Sequence, residues 1–320
     1  MSNDSIIVTG AAGFIGTNLV KALNKRGINN LILVDHLSSK KKRNLENLSY
    51  RTYYEKDEFL RLVDTDLTGK PSHFIHLGAA TDTTLQDKEY LLKNNTGYSK
   101  SVFKYCRRNG VRLIYASSAA TYGNGDRGYS DNSRKLNPLN YYGFSKYLFD
   151  KWVLEQKNLP PQWVGLKFFN VYGPYEGHKD KMASVIYHGY NQIKKSGVLK
   201  LFKSYKDDVK DGEQCRDFIY VKDVVNVILY FMDNKNISGI YNVGTGKART
   251  FLDIGFCLFK AVNKKARIKF IEMPENLKDI YQYFTQADIG KLRSAGYNKP
   301  FYSLEDGISE YVSSYLSRLA

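Results

Sequence analysis

The chain has 320 residues, enough for one large domain or two modest ones around a substantial core. Hydrophobic residues make up 42% and charged residues 25%, the balance of a globular protein; no stretch approaches the ~20 apolar residues that span a bilayer, and no membrane partner is expected. The net charge of +16 admits an anionic partner or a lysine-rich surface; the cations are scattered, with one dense run at Lys40-Lys41-Lys42-Arg43 and no nucleic-acid motif beside it, so no nucleic-acid partner is expected.

Taken in chain order, the polar start from Met1 to Ser5 runs directly into an apolar segment and carries no signal-peptide pattern. Ile6-Ile7-Val8 reads as a buried strand, Leu19 to Leu23 as part of the following helix, and Leu31-Ile32-Leu33-Val34 as a second strand. Further strands are expected at Phe74-Ile75-His76, Leu113-Ile114-Tyr115 and Val164-Gly165-Leu166, with helices over Tyr90 to Arg108 and Tyr141 to Gln156. Strand and helix alternating in this way predict an α/β fold, a Rossmann-type doubly wound parallel sheet with right-handed crossovers.

Beyond Asn170 the rhythm breaks: the stretch from Ser196 to Gln214 is polar and the final hundred residues predict shorter elements. The expected organisation is a dinucleotide-binding domain over residues 1–170, with chain returning at about 215–246, and a smaller α/β substrate-binding domain from 171–214 and 247–320. Cys106, Cys215 and Cys257 are few, odd in number and far apart, which excludes a disulfide framework or a CxxC metal site and suits a reducing cytoplasm. No metal is expected.

The first strand leads into Thr9-Gly10-Ala11-Ala12-Gly13-Phe14-Ile15-Gly16 and then a helix. Gly10, Gly13 and Gly16 permit a tight turn and close backbone approach to a pyrophosphate seated at the helix N-terminus. Asp35 closes the second strand roughly twenty residues on, where an acid bonds the adenosine ribose and favours NAD. Lys41 and Lys42 follow at once and Lys56 is expected to end the next strand, and such a basic cluster can hold a 2′-phosphate, so NADP is the expected cofactor with NAD the alternative.

Tyr142 and Lys146 form a YxxxK pair, one helical turn apart and on one face. A phenol with a pKa near ~10 is a poor base at neutral pH, and a neighbouring ammonium favours the phenolate. Ser118 ends the strand at Tyr115, at the carboxyl edge of the sheet where ligands of such folds bind, and can hydrogen-bond a substrate oxygen.

These three motifs resemble the extended short-chain dehydrogenase/reductase superfamily over essentially the whole chain. Phe168-Phe169-Asn170-Val171-Tyr172-Gly173-Pro174 and Arg216 to Asp223 are similar to motifs of nucleotide-sugar enzymes within it. Glu176-Gly177-His178-Lys179, Met182 to Val185 and Tyr281 to Asp288 look like the ADP-L-glycero-D-manno-heptose 6-epimerases in particular. The resemblance implies a bound NADP, oxidation of the heptose C6 hydroxyl to a ketone, and return of the same hydride with opposite stereochemistry, for lipopolysaccharide core synthesis. It implies Tyr142 as one acid/base and Lys179 as the second. It places Phe14, Ile15, His36, Leu77, Gly78, Ala79, Ala80, Thr81, Asn94 and Val171 against the cofactor. Asn170, Lys181, His188, Phe202, Lys203, Ser204, Arg216 and Tyr281 would meet the ADP-heptose, with Arg216 suited to the diphosphate. It also implies a ring-like homo-oligomer, such as a pentamer. The chain departs from the family pattern at Tyr175, where arginine is common, at Lys181, where a small polar residue is common, and in a longer segment from Tyr205 to Gln214.

Two other readings stay open on the residues alone. A UDP-hexose 4-epimerase would share Ser118, Tyr142 and Lys146, and a non-catalytic NADP- or nucleic-acid-binding protein would fit the basic charge. An intact Tyr142/Lys146 pair argues against the latter. Ala119 and Ala120 after Ser118 argue against a 4,6-dehydratase, which places acidic groups there.

Overall fold

The computed structural model describes residues 5–65, 70–278 and 281–319. Met1 to Asp4, most of the polar start, therefore lie outside the described residues. Seven parallel strands form the central sheet in the order β10-β6-β5-β4-β1-β2-β3. They are β1 (Ile6–Thr9), β2 (Leu31–Asp35), β3 (Thr52–Glu55), β4 (His73–His76), β5 (Arg112–Ser118), β6 (Trp163–Phe168) and β10 (Gly239–Val243). Strand order reverses between β1 and β4, and that switch point opens the crevice in which α/β folds bind ligands.

The five strands expected from the apolar runs are all present. Their near-continuous hydrophobicity follows from burial on both faces. Alternate residues feed two separate cores: Val8, Leu33, Ile75, Ile114 and Leu166 pack on one face with Leu19, Leu23 and the helix Val221–Asp233. Ile7, Ile32, Phe74 and Leu113 pack on the other with Val102, Phe103, Phe149 and Val153. Each fully buried aliphatic side chain of this kind stabilises the fold by roughly 1.5–3 kcal/mol.

Register aligns the chemistry. Thr9 lies opposite Val34 and His76, His76 opposite Tyr115, and Ser118 opposite Phe168, so the strand ends stand along one carboxyl edge.

The smaller sheets are β11-β9-β7, with β7 (Asn170–Tyr172), β9 (Cys215–Tyr220) and β11 (Ala248–Thr250), and a parallel pair of β8 (Leu199–Phe202) with β12 (Ile268–Ile271). Their core gathers Ile186, Ile193, Leu201, Phe218, Leu258 and Ile308, and takes in Phe14 from the glycine turn. The last hundred residues hold longer elements than the broken sequence rhythm predicts: Val221–Asp233 has 13 residues, and Phe251–Ala261 and Leu304–Ser314 have 11 each. Buried apolar faces, with capping by Thr250 and Ser303, stabilise them. Leu292, in the short helix Gly290–Ser294, packs into the core of the main sheet beside Tyr241.

The helix expected from Tyr90 to Arg108 runs from Lys88 to Asn109 but widens into a π-helical turn at Leu92–Gly97. Such turns recur at functional sites. The Tyr141 helix ends at Leu154 rather than Gln156, and β3 ends at Glu55, so Lys56 opens a helix instead of closing a strand. No helix among the described residues is long and apolar enough to cross a membrane.

Candidate active site

The glycine turn is built as its spacing requires. Gly10 has φ +68°, and a Cβ there would stand 2.7 Å from Gly78 N; a Cβ on Gly16 would stand 2.0 Å from Gly10 O. Only bare backbone fits such approaches. Gly13 caps the helix Phe14–Lys25 without a side-chain bond, leaving its first-turn N–H groups toward the cleft as an anion site.

At the end of β2, the buried Asp35 carboxylate accepts from Ala12 N (2.9 Å), His36 N (2.7 Å) and Lys41 Nζ (2.8 Å). Lys41, Lys56, His36, Gly10, Gly78, Ala79, Ala80, Tyr90, Asn94 and Tyr98 surround Asp35 in one cavity. Lys56 Nζ reaches Asp57 at 2.7 Å and Asn94 Oδ1 at 3.3 Å. Lys42 is exposed and outside this lining, because adjacent helical residues point about 100° apart. The cavity continues along Gly13, Phe14, Ile15, Gly16, Leu77 and Thr81 toward His178 and Lys179.

Asn95, in the π turn, is a hub that spacing alone did not reveal. Its side chain accepts from Ala80 N (2.8 Å) and donates to Ala80 O (3.0 Å) and Ser145 Oγ (2.9 Å). It thereby ties the loop after β4 to the helix of Tyr142. The adjacent asparagines of the Asn94-Asn95-Thr96-Gly97 run are the sequence signal for this feature.

Asn140 caps the helix Tyr141–Leu154 by accepting from Gly143 N at 2.8 Å, which sets Tyr142 and Lys146 over the end of β5. Burial pushes the Tyr142 phenol above its ordinary value, and its hydrogen bond with Ser118 pulls it back down. Lys146 is buried and donates to Ala116 O at 2.8 Å; burial brings its ammonium down to about 8, against the pull of Asp150. His76 beside it is held between Thr9 Oγ1 (2.6 Å) and Ser99 Oγ (2.9 Å), and burial lowers it to about 3, so it is neutral.

Lys179 comes from a 3₁₀ turn, Gly177–Met182, whose next residue, Asp180, has φ 47° and ψ −122°. Burial lowers the Lys179 ammonium, the Glu176 carboxylate opposes this, and the charge stands 5.9 Å from the Phe14 ring centroid. Buried Glu176 anchors the turn, accepting from Gly173 N (3.1 Å) and from Ser184 N (2.5 Å) and Oγ (2.8 Å). Ser118, Tyr142, Lys146, Asn170, Val171 and Lys179 line one cavity. Thr83, Met182, Phe218 and Phe251, which sequence reasoning missed, complete its wall.

Arg216 is buried, with its guanidinium between the Tyr281 ring (5.2 Å) and the Phe251 ring (5.8 Å). It donates to Cys215 O at 2.9 Å and, among the described residues, pairs with no carboxylate. Lys181 is exposed and reaches Asp82 Oδ2 at 3.3 Å across the cleft. Of the residues expected to meet the substrate, Asn170 lines the Tyr142 cavity, and Lys181, His188, Phe202, Lys203, Ser204, Arg216 and Tyr281 lie outside its lining. His188 packs on Tyr187, Phe202 packs edge-on to Tyr281, Lys203 pairs with Glu272 at 2.5 Å, and Ser204 N donates to Asp211 at 2.7 Å. Tyr175 adopts φ 71°, packs on Tyr315 and accepts from Lys21 Nζ at 2.5 Å.

A model of the NAD dependent epimerase/dehydratase family matches residues 6–244. The chain is 48% identical to an ADP-L-glycero-D-manno-heptose-6-epimerase of Fusobacterium nucleatum subsp. nucleatum, with 98% of each chain covered. It is 47% identical to a protein of that name from Nitratidesulfovibrio vulgaris, over 97% of this chain and 98% of the relative. Among solved structures, the ADP-L-glycero-D-manno-heptose-6-epimerase of Helicobacter pylori superposes with a TM-score of 0.84 at 29% identity, covering 98% of this chain and 96% of that one. The glycine turn, the Tyr142/Lys146 pair and these similarities agree: the chain belongs to the NAD dependent epimerase/dehydratase family, among its ADP-L-glycero-D-manno-heptose-6-epimerases.

Proposed function

We propose that this epimerase inverts C6 of the heptose in ADP-D-glycero-D-manno-heptose through a transient 6-keto sugar, giving ADP-L-glycero-D-manno-heptose for the lipopolysaccharide core. One observation carries the reading: Tyr142 and Lys179, two groups able to move a proton, line the same cavity with Ser118. C6 of this heptose has no neighbouring carbonyl to acidify its C–H, so direct deprotonation is slow and oxidation is the open route. A bound nicotinamide supplies the hydride acceptor and gives the same hydride back. The bare backbone at Gly10 and Gly16, the uncapped helix start at Gly13 and the carboxylate of Asp35 fit the dinucleotide.

Tyr142, as phenolate, takes the C6 hydroxyl proton while Ser118 hydrogen-bonds that oxygen, and the Lys146 charge favours the phenolate. The ketone turns over, its oxygen comes to Lys179, and the ammonium supplies the proton as the sugar is reduced. Burial helps Lys179 release that proton. Each turnover leaves Tyr142 protonated and Lys179 neutral, so one proton passes back between them before the next. The guanidinium of Arg216, sandwiched by Tyr281 and Phe251 and with no carboxylate partner among the described residues, suits the ADP diphosphate.

NADP is the preferred cofactor in this reading: Lys41 neutralises Asp35, and Lys56 faces the same cavity, so a 2′-phosphate meets two ammonium groups. The lobe of residues 171–214 and 247–320 acts as the substrate half, and the protein assembles as a ring-like homo-oligomer, measurable as mass by light scattering. The test is to denature the purified protein, identify the released dinucleotide by mass, and incubate intact enzyme with ADP-D-glycero-D-manno-heptose while following C6 by NMR. Inversion at C6 is expected; an unchanged sugar rejects the function.

A further inference from the structure

We propose that Asp150 is a positioning residue for Lys146, fixing the carboxyl end of β5 beneath it and supplying the negative charge that keeps it an ammonium. The inference rests on the reading of Lys146 as the partner of Tyr142. Asp150 lies one turn after Lys146 on the helix Tyr141–Leu154, and both are buried, at 3% and 4% exposure. Its carboxylate accepts from Ser117 Oγ (2.6 Å), Tyr115 OH (3.1 Å) and Lys167 Nζ (2.7 Å).

Along β5 the side chains of Tyr115 and Ser117 bond Asp150, and Ala116 to Ser118 form the stretch of the strand that lines the cleft. Ala116 O is the acceptor for Lys146, and Ser118 is bonded to Tyr142, so the Asp150 cluster grips both from below. Lys167 also donates to Thr121 Oγ1 at 2.8 Å, in the turn that follows Ser118. Asp150 forms its direct ion pair with Lys167, and its charge acts on Lys146 from one helical turn away.

Among the described residues, the charged or titratable groups facing Lys146 are Tyr142 one turn before it, Asp150 one turn after it, Lys167 behind Asp150, and His76 on β4, which is neutral. Burial draws Lys146 down to about 8 and Asp150 opposes it. Activity therefore falls as Lys146 loses its proton on the alkaline side, and removing the Asp150 charge moves that limb toward acid.

The experiment is the pH profile of kcat for epimerisation in three variants. Asp150→Asn is expected to move the alkaline limb down by about one unit, lowering kcat about fivefold at pH 8 while leaving it within about twofold at pH 6. Asp150→Glu keeps the limb in place. Lys167→Met, which leaves the Asp150 charge undivided, moves it upward. Should the single variants fail to fold, the double variant Asp150→Asn/Lys167→Met removes both buried charges at similar volume and still moves the limb toward acid. A kcat reduced by one factor at every pH, with the limb unmoved, overturns the proposal. Lys146→Met separates the two layers: normal turnover there rejects the role of Lys146 itself, whereas an inactive Lys146→Met beside an unmoved Asp150→Asn limb rejects only the inference about Asp150.

Discussion

Replacing Lys179 by methionine removes an ammonium but little volume, and the surroundings set what should follow. Glu176 keeps its bonds from Gly173 and Ser184, so the turn retains its anchor. Burial lowers the Lys179 ammonium and Glu176 opposes this, so it gives up its proton more readily than a free lysine. A positioned acid/base contributes about 10²–10⁴ in rate. Losing it should therefore lower kcat for epimerisation by that factor, about 3–5 kcal/mol in barrier. Tyr142, Ser118 and Lys146 are untouched, so the first oxidation survives. On mixing Lys179→Met with substrate, reduced-nicotinamide absorbance should rise and persist while product forms slowly. Cofactor retained after gel filtration should match the parent protein. Turnover within a few-fold of the parent, with no such absorbance, would refute the two-base account.

Replacing Lys41 and Lys56 together by methionine should weaken NADP by about 10–100-fold, the loss of one or two charged hydrogen bonds, while NAD changes only a few-fold; Lys42→Met, on the exposed side, should be silent in the same titration. Arg216→Lys should raise KM for the ADP-sugar by about tenfold or more and leave cofactor content unchanged, because an ammonium cannot make a bidentate bond to a diphosphate. Asp223, 1% exposed, is raised to about 6 by burial. Its folded value lies above the unfolded one, so stability falls as pH rises through this interval. Asp223→Asn should therefore gain on the parent by roughly 2 kcal/mol between pH 4 and pH 7 in urea melts, with a constant difference counting against the assignment.

The doubly wound sheet was legible because burial on both faces of a parallel strand writes itself as short β-branched runs, as in Ile6-Ile7-Val8. The glycine turn and the Tyr142/Lys146 pair were legible because each needs fixed residues at fixed spacing. Lys179 was legible only through the resemblance carried by Glu176-Gly177-His178-Lys179: its turn depends on a strained Asp180 and on Glu176 reaching Ser184, contacts that no periodicity encodes. Phe218 and Phe251 reach the cavity from β9 and from the start of the helix Phe251–Ala261, and appear in sequence as ordinary core positions. The basic run at Lys40–Arg43 carries no direction until a helix gives it one. Lys41 then faces Asp35 and Lys40 faces Asp180 at 2.6 Å, while Lys42 remains in solvent. His188 and the stretch from Phe202 to Ser204 came from resemblance alone, and the structure gives them neighbours of their own, Tyr187, Tyr281, Glu272 and Asp211.

The central claim is that one hydride leaves C6 and returns to it, with Tyr142 and Lys179 handling the oxygen's proton on either side. The most direct measurement is to give the enzyme ADP-D-glycero-D-manno-heptose deuterated at C6, in ordinary water, and to read the label in the inverted product by NMR and mass. Complete retention of deuterium at C6 is the predicted result. Exchange of that deuterium for solvent hydrogen would mean that C6 is deprotonated rather than oxidised, and would contradict the account.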